Sequence, residues 1–259
     1  MGKLIKFEFR KLLRSRYLYI ILAVSLLFVI INGLIANLAA EMANKLAESN
    51  GGEEVVVSAY GFIRGALSNS FALFLGILIA IYVCEDFSHG VLKNIVGKGY
   101  AREKVLYSKY IVSLVATLAL AGLMVLMAVI YGNLAWPGTA NTSDNLALII
   151  LGQLVGVITY HALFFALAYT IRKPGFAIAI NVVTPLAISL VLTLVDTGLK
   201  NAKMDFNISQ FWLDNVFAAF TNSGNDASLF GKNIAILIVY FAAAFVAGLL
   251  INRKREIKQ

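Results

Sequence analysis

Six blocks of apolar residues, at 17–38, 67–84, 110–131, 146–171, 176–195 and 234–251, set the limits on what this chain can fold into. A helix needs about 20 residues to cross a hydrocarbon layer of about 30 Å. Lipid offers no hydrogen-bond partners, so each block must satisfy its own backbone, and blocks this long are helices rather than barrel strands of about 10 residues. The reading is an all-α integral membrane protein, one transmembrane domain over residues 1–259 with six transmembrane helices. Composition agrees: 60% of the 259 residues are hydrophobic and only 14% are charged, against about 25% charged in soluble domains. So few charges cannot coat a water-facing globule, which excludes a soluble enzyme, and the mean hydropathy of +0.81 excludes disorder. The first block exceeds the about 7–15 apolar residues of a cleaved signal peptide and reads as a retained span. Cys84 is the lone cysteine, and with His89 and His161 it leaves too few soft ligands for a structural zinc, so no metal is expected.

Lys and Arg divide unevenly between the two sides. Residues 1–16, the 85–109 loop, the 172–175 turn and the 252–259 tail hold 17, and the other side holds five: Lys45, Arg64, Lys200, Lys203 and Lys232. The positive-inside rule then puts both termini in the cytoplasm, N-in/C-in, as an even number of spans requires. The fourth and fifth spans are separated only by Arg172-Lys173-Pro174-Gly175; proline and glycine break the helix and the two cations hold the turn at the surface. The two three-span halves show no similarity to one another, which disfavours a carrier built from inverted repeats.

Residues 1–16 read as an interfacial amphipathic helix. Lys3, Lys6, Arg10 and Arg14 recur at helical spacing, with Ile5, Phe9, Leu12 and Leu13 on another face. Such a helix buries its apolar side at the headgroup boundary and offers its cations to anionic membrane lipid, each worth about 1 kcal/mol. The same charges also serve as a topology signal, and the two roles are compatible. No nucleic-acid partner is expected.

The 85–109 loop is the most informative segment. Phe87, Val91 and Ile95 recur at i, i+4 and i+8, the period of a short amphipathic helix over 86–97. Asp86 or Ser88 is placed to cap its start, and Gly97 and Gly99 to end it. A second helix then runs from near Arg102 through Lys109 into span three. Gly97-Lys98-Gly99 is not a phosphate-binding loop, which needs G-x-x-x-x-G-K-[ST]: position 92 is leucine, and Gly99 follows the lysine. Gly231-Lys232 fails because position 226 is aspartate.

These residues carry a resemblance. Phe7-Glu8-Phe9-Arg10-Lys11 before span one, then Glu85-Asp86, Gly90, Lys93-Asn94, Arg102 and Lys109 resemble the permease subunit of an ABC-2 type exporter of the short six-span bacterial kind. Val91 departs from the threonine that often follows the family's glycine. The resemblance implies that the loop carries a cytoplasmic coupling helix that docks on a separate ABC ATPase, with Glu85, Asp86, Gly90, Lys93, Asn94, Arg102, Lys104 and Lys109 at or near the contact. It implies a second, smaller contact at Arg172 and Lys173. ATP and Mg would belong to the ATPase, this chain itself being a non-enzymatic subunit without cofactors. A second copy of the permease would complete the pore in the bacterial cytoplasmic membrane. Spans two and five would face the dimer axis, bringing Asn69, Phe71 and Phe74 near Asn181, Thr184 and Pro185 along the translocation path. The cargo implied is an amphipathic or hydrophobic substrate, foremost a peptide such as a bacteriocin or peptide toxin, with a drug, lipid or saccharide as the alternatives.

Within the predicted spans charges are essentially absent, and a mid-span charge costs about 2.5–3.5 kcal/mol or more. This disfavours the alternative of a stand-alone ion-coupled carrier or channel. His161 reads as a hydrogen-bonded packing residue, and Pro185 is placed to kink span five. In the 196–233 outer loop, the aromatic segment 209–220 is too short to span. It reads as an interfacial or re-entrant helix, or as a surface anchor. Asn141-Thr142-Ser143 and Asn207-Ile208-Ser209 match the glycosylation acceptor pattern, without meaning in a bacterial chain.

Overall fold

A computed structural model of the protein describes residues 1–50, 57–67, 69–138, 145–204, 206–222 and 227–254. Gly51-Gly52, Glu53, Glu54 and Asn141-Thr142-Ser143 lie outside the described residues. Asn69 and Lys93 are described in backbone only.

Among the described residues every regular element is helical. Ten α-helices follow in order: α1 Gly2–Arg14, α2 Arg16–Asn50, α3 Ala59–Arg64, α4 Asn69–Ser88, α5 Val91–Gly97, α6 Arg102–Ala135, α7 Leu146–Ile171, α8 Pro174–Asn201, α9 Leu213–Asn222 and α10 Ala227–Lys254, with one 3-10 turn at Ser209–Phe211. Six of them, α2, α4, α6, α7, α8 and α10, are long and apolar enough to cross a membrane. This is a multi-pass membrane protein. α2, α6, α8 and α10 outrun the apolar blocks in the sequence. The 35 residues of α2 reach about 52 Å at 1.5 Å per residue, well beyond a bilayer core. Only Ser15, in an extended conformation, separates α1 from α2.

The bundle is organised around α7, which packs against α4, α6, α8, α9 and α10. Small residues permit the approach, because helices within lipid gain little from hydrophobic contact and rely on close packing. A Cβ at Gly152 would collide with the ring of Phe220, and one at Gly156 with that of Phe217. Both rings belong to α9, whose Leu213, Val216, Phe217 and Phe220 are buried. The 213–220 part of the aromatic segment is therefore packed into the bundle, whereas Gln210 and Phe211 stay exposed. The segment is also split: Trp212 is extended, so a turn of 3-10 helix precedes α9. Asp214 fixes α9 to two neighbours, accepting hydrogen bonds from Tyr160 of α7 and from Ser189 of α8 at 2.7 Å, with Trp212 Nε1 also donating at 3.0 Å.

The face of α8 formed by Ala177, Asn181 and Pro185 is buried, and the helix runs unbroken through Pro185. Asn181 Nδ2 donates to the Gly76 carbonyl of α4 at 3.1 Å. The opposite face, with Val183, Leu186, Leu190 and Leu194, is exposed. α8 also extends far enough to include Asp196, which accepts the backbone N–H groups of Ile208 and Ser209. His161 is buried, with Ser113 Oγ of α6 2.8 Å from Nε2 and the Tyr110 ring edge-on at 4.8 Å.

Gly156→Ala or Gly152→Ala should dislodge α9 at a cost of about 1–3 kcal/mol, the usual penalty of overpacking. Gly122→Ala, whose Cβ meets nothing within 4 Å, should not. Thermal unfolding of the purified variants in one detergent checks this, and equal melting temperatures for the three would refute it.

Candidate functional site

The α4–α6 connection is built from two glycine-made breaks. α4 continues through Ser88, and Gly90, at φ 65°, turns the chain into α5. Gly99, at φ 87°, turns it again before α6. Both angles lie where a side chain is strained, so glycine is required. The short helix is therefore Val91–Gly97 rather than 86–97, and neither proposed cap acts as one. Asp86 is drawn into the interior, and Ser88 Oγ donates back to the Cys84 carbonyl at 3.2 Å. Phe87 ends α4 rather than beginning α5, yet it still joins the same packing. Leu4 of α1, Leu92 of α5 and Val105 of α6 form a small separate core, flanked by Phe87 and Ile95.

Beneath this core lies a buried charge cluster. Glu8 of α1, Asp86 of α4 and Lys109 of α6 are each fully buried. Lys109 Nζ lies 3.4 Å from Glu8 Oε2 and contacts Asp86. Lys11 also contacts Asp86 and lies 3.6 Å from Glu85. Tyr82 Oη donates to Glu8 at 2.9 Å, and its ring lies under the Lys109 ammonium, 4.7 Å from the centroid. Three carboxylates and two ammonium groups thus tie α1, α4 and α6 into one block. A charge withdrawn from water persists only when paired, so the removal of one member leaves the others uncompensated. Burial pushes the Lys11 ammonium below its ordinary 10.5, the Lys109 charge adds to this, and Glu85 and Glu8 oppose it. The folded state then holds this proton less tightly than the unfolded chain, so stability from this group rises with pH in the window just below 10.5.

The α7–α8 turn joins the same end of the bundle. Arg172, at φ 63°, closes α7 with its N–H on the Ala168 carbonyl, and its guanidinium lies 5.0 Å from the Phe87 ring centroid. Lys173 is exposed beside it. The residues singled out around the loop therefore differ in burial. Asn94, Arg102, Lys104 and Lys173 are exposed. Asp86 and Lys109 are internal, and Glu85 is intermediate.

On α1 the cations Lys3, Lys6, Arg10 and Arg14 are exposed, while Leu4, Glu8 and Leu12 form the buried face. Phe9 and Leu13, expected beside Leu12, are exposed, and Ile5 is intermediate. The sequence reading assigned no site role to Glu8, Lys11 or Tyr82. A signal for Glu8 was present: it is the one acid in the first 40 residues, and it sits four residues from both Leu4 and Leu12. Nothing marks Tyr82, whose role depends on α1 folding over α4.

The residues expected along the conduit whose side chains are described divide into buried and half-buried ones. Phe71, Asn181 and Pro185 are buried. Phe74 stacks edge-on against Phe28 of α2 at 5.3 Å, and Thr184 is half-buried. Among the described residues, no three His, Cys, Asp or Glu side chains converge as metal ligands.

Six long apolar helices, with α1, α5 and a buried charge cluster gathered at one end, make the architecture of a multi-pass membrane protein. A family model described as ABC-2 family transporter protein matches residues 4–196. The match runs from α1 through most of α8, well over half of the chain, and the chain belongs to the ABC-2 transporter family. Comparison with curated proteins gave no match. The protein is thus the membrane component of an ABC transporter and is not itself catalytic.

Lys109→Met should leave Glu8 and Asp86 without their shared cation, at a cost of about 3–5 kcal/mol. Glu8→Gln/Lys109→Met, which keeps the Tyr82 contact and the Lys11–Asp86 pair, should recover part of it. A double-mutant cycle of thermal unfolding checks the coupling, and strict additivity would show that the pair does not act together.

Proposed function

We propose that this chain is the permease of an ATP-driven bacterial exporter, working as two copies, each with a separate ABC ATPase bound at the α5 end of the bundle. The observation that carries this reading is the ion-paired block of α1, α4 and α6. A short helix held by packing to such a block is suited to pass a push into the spans. α5 meets α1 and α6 through Leu92 and leaves Asn94 exposed. Arg102, Lys104 and Lys173 add cations around it for an acidic ATPase surface. The buried Asp86 and Lys109 act as struts behind that surface. Closure of the ATPases on ATP and Mg would move α5, and the struts would carry the motion into α4 and α6. Charge distribution supports the α5 end and both termini being cytoplasmic. The cargo is an amphipathic peptide moved outward, a reading by family analogy that agrees with spans poor in charge. The exposed apolar face of α8 suits contact with lipid or with a second permease.

Arg102→Glu/Lys104→Glu should weaken ATPase binding at least tenfold and lower coupled ATP hydrolysis, while circular dichroism and detergent melting stay as in the wild type. Undiminished coupled hydrolysis would remove the loop from the contact. Because the native Cys84 is buried, single introduced cysteines report sidedness. Met204→Cys should be labelled by an impermeant maleimide added to whole cells and Lys98→Cys only after lysis; the reverse pattern would invert the topology.

A further inference from the structure

A cavity opens at the α5 end of the bundle. It has a volume of about 320 Å³ and lies between α1 and α5. Leu4, Phe7, Val91 and Ile95 form its apolar part, and Lys3, Asn94, Lys98 and Tyr100 its polar part. None of these four polar side chains has a hydrogen bond or ion pair among the described residues, and no acidic residue lines the cavity. Two ammonium groups, a carboxamide and a phenol, all on exposed residues, thus line one cavity without a protein partner among the described residues, beside an apolar surface that includes the buried Leu4.

We propose that this cavity holds the headgroup of one anionic phospholipid, with Lys3 and Lys98 on the phosphate. Asn94 and Tyr100 supply neutral donors, and Phe7, Val91 and Ile95 meet the first methylenes of the chains. The chemistry of the lining selects this occupant: two cations without counter-ions call for an anion, and the adjoining apolar wall calls for a hydrocarbon beside it. Location supplies the source. α1 also exposes Lys6, Arg10 and Arg14, the pattern of a helix lying on an anionic leaflet. Such a site differs from diffuse adsorption because it has a stoichiometry of one and depends on Lys98, which lies outside α1. It would make the seating of α5 depend on lipid. The proposal depends on the proposed orientation only in that the anionic leaflet is then the inner one.

The test is lipid retention by the full-length permease in detergent, measured by native mass spectrometry during titration with phosphatidylglycerol or phosphatidylcholine. The readout is lipid retention rather than ATP hydrolysis or transport, so a failure of the exporter reading leaves the lipid titration standing. The wild type should retain one phosphatidylglycerol per protomer and no phosphatidylcholine. Lys3→Gln/Lys98→Gln should bind phosphatidylglycerol about thirtyfold more weakly, as expected for the loss of two cations near a phosphate. Lys6→Gln/Arg14→Gln, which removes equal charge from α1 away from the cavity, should retain it. Tyr100→Phe provides a milder variant, with a few-fold loss, should the double variant fold poorly. Retention by Lys3→Gln/Lys98→Gln, or equal binding of phosphatidylcholine, would overturn the proposal. So would glycerol phosphate competing at the lipid's own concentration, since the site would then read a free phosphate. Displacement of the lipid by added ATPase would likewise overturn it and assign the cavity to the protein partner.

Discussion

Glu8, Asp86 and Lys109 have left water entirely, and the arrangement of this end of the molecule follows from that. Their pairing holds only while α1, α4 and α6 keep one relative position, because an ion pair in a low-dielectric interior is lost steeply with separation and its members cannot be stranded cheaply. The cluster therefore sets geometry more than it adds net stability. It fixes the amphipathic α1 to the ends of α4 and α6, and it does so at the point where the chain leaves α4, turns through α5 and enters α6. Motion imposed on the connection is then shared by three helices.

Further along the bundle the cohesion is of another kind. α9 lies against Gly152 and Gly156 of α7, where ring faces meet bare backbone, and Asp214 is held by the neutral donors of Tyr160, Ser189 and Trp212. Dispersion across a close interface and a carboxylate solvated by hydroxyl and indole groups take the place of ion pairs. A transporter that alternates between two states needs some interfaces that travel as units and others that part. A charge-locked block at one end and a glycine-seated helix elsewhere are two such units, connected through α4, α7 and α8.

The surface around α5 presents two chemistries side by side. Arg102, Lys104 and Lys173 are exposed cations suited to a protein surface, whereas Lys3 and Lys98 share a cavity with apolar walls. The α5 helix contributes to both through Asn94 and Ile95. Membrane composition and the ATPase would then act on the same short helix from adjacent sides.

Much of this architecture was legible from residues alone. Lipid imposes a length on each apolar block and forbids unpaired backbone, so the number and helical nature of the spans followed without any tertiary information, as did the short helix in the α4–α6 connection. Helix ends did not follow: α2, α8 and α10 continue past their apolar blocks, because a helix projecting from a membrane needs no hydrophobic residues to persist. The roles of the polar residues were also out of reach. Asp86 looked like a helix cap and Lys109 like a surface cation. Which partner a charge finds depends on which helices pack together, and that is a long-range fact: 101 residues separate Glu8 from Lys109. Local spacing could say that Glu8 shares a face with Leu4 and Leu12. Only the folding of α1 over α4 and α6 could turn that solitary acid into the centre of a cluster.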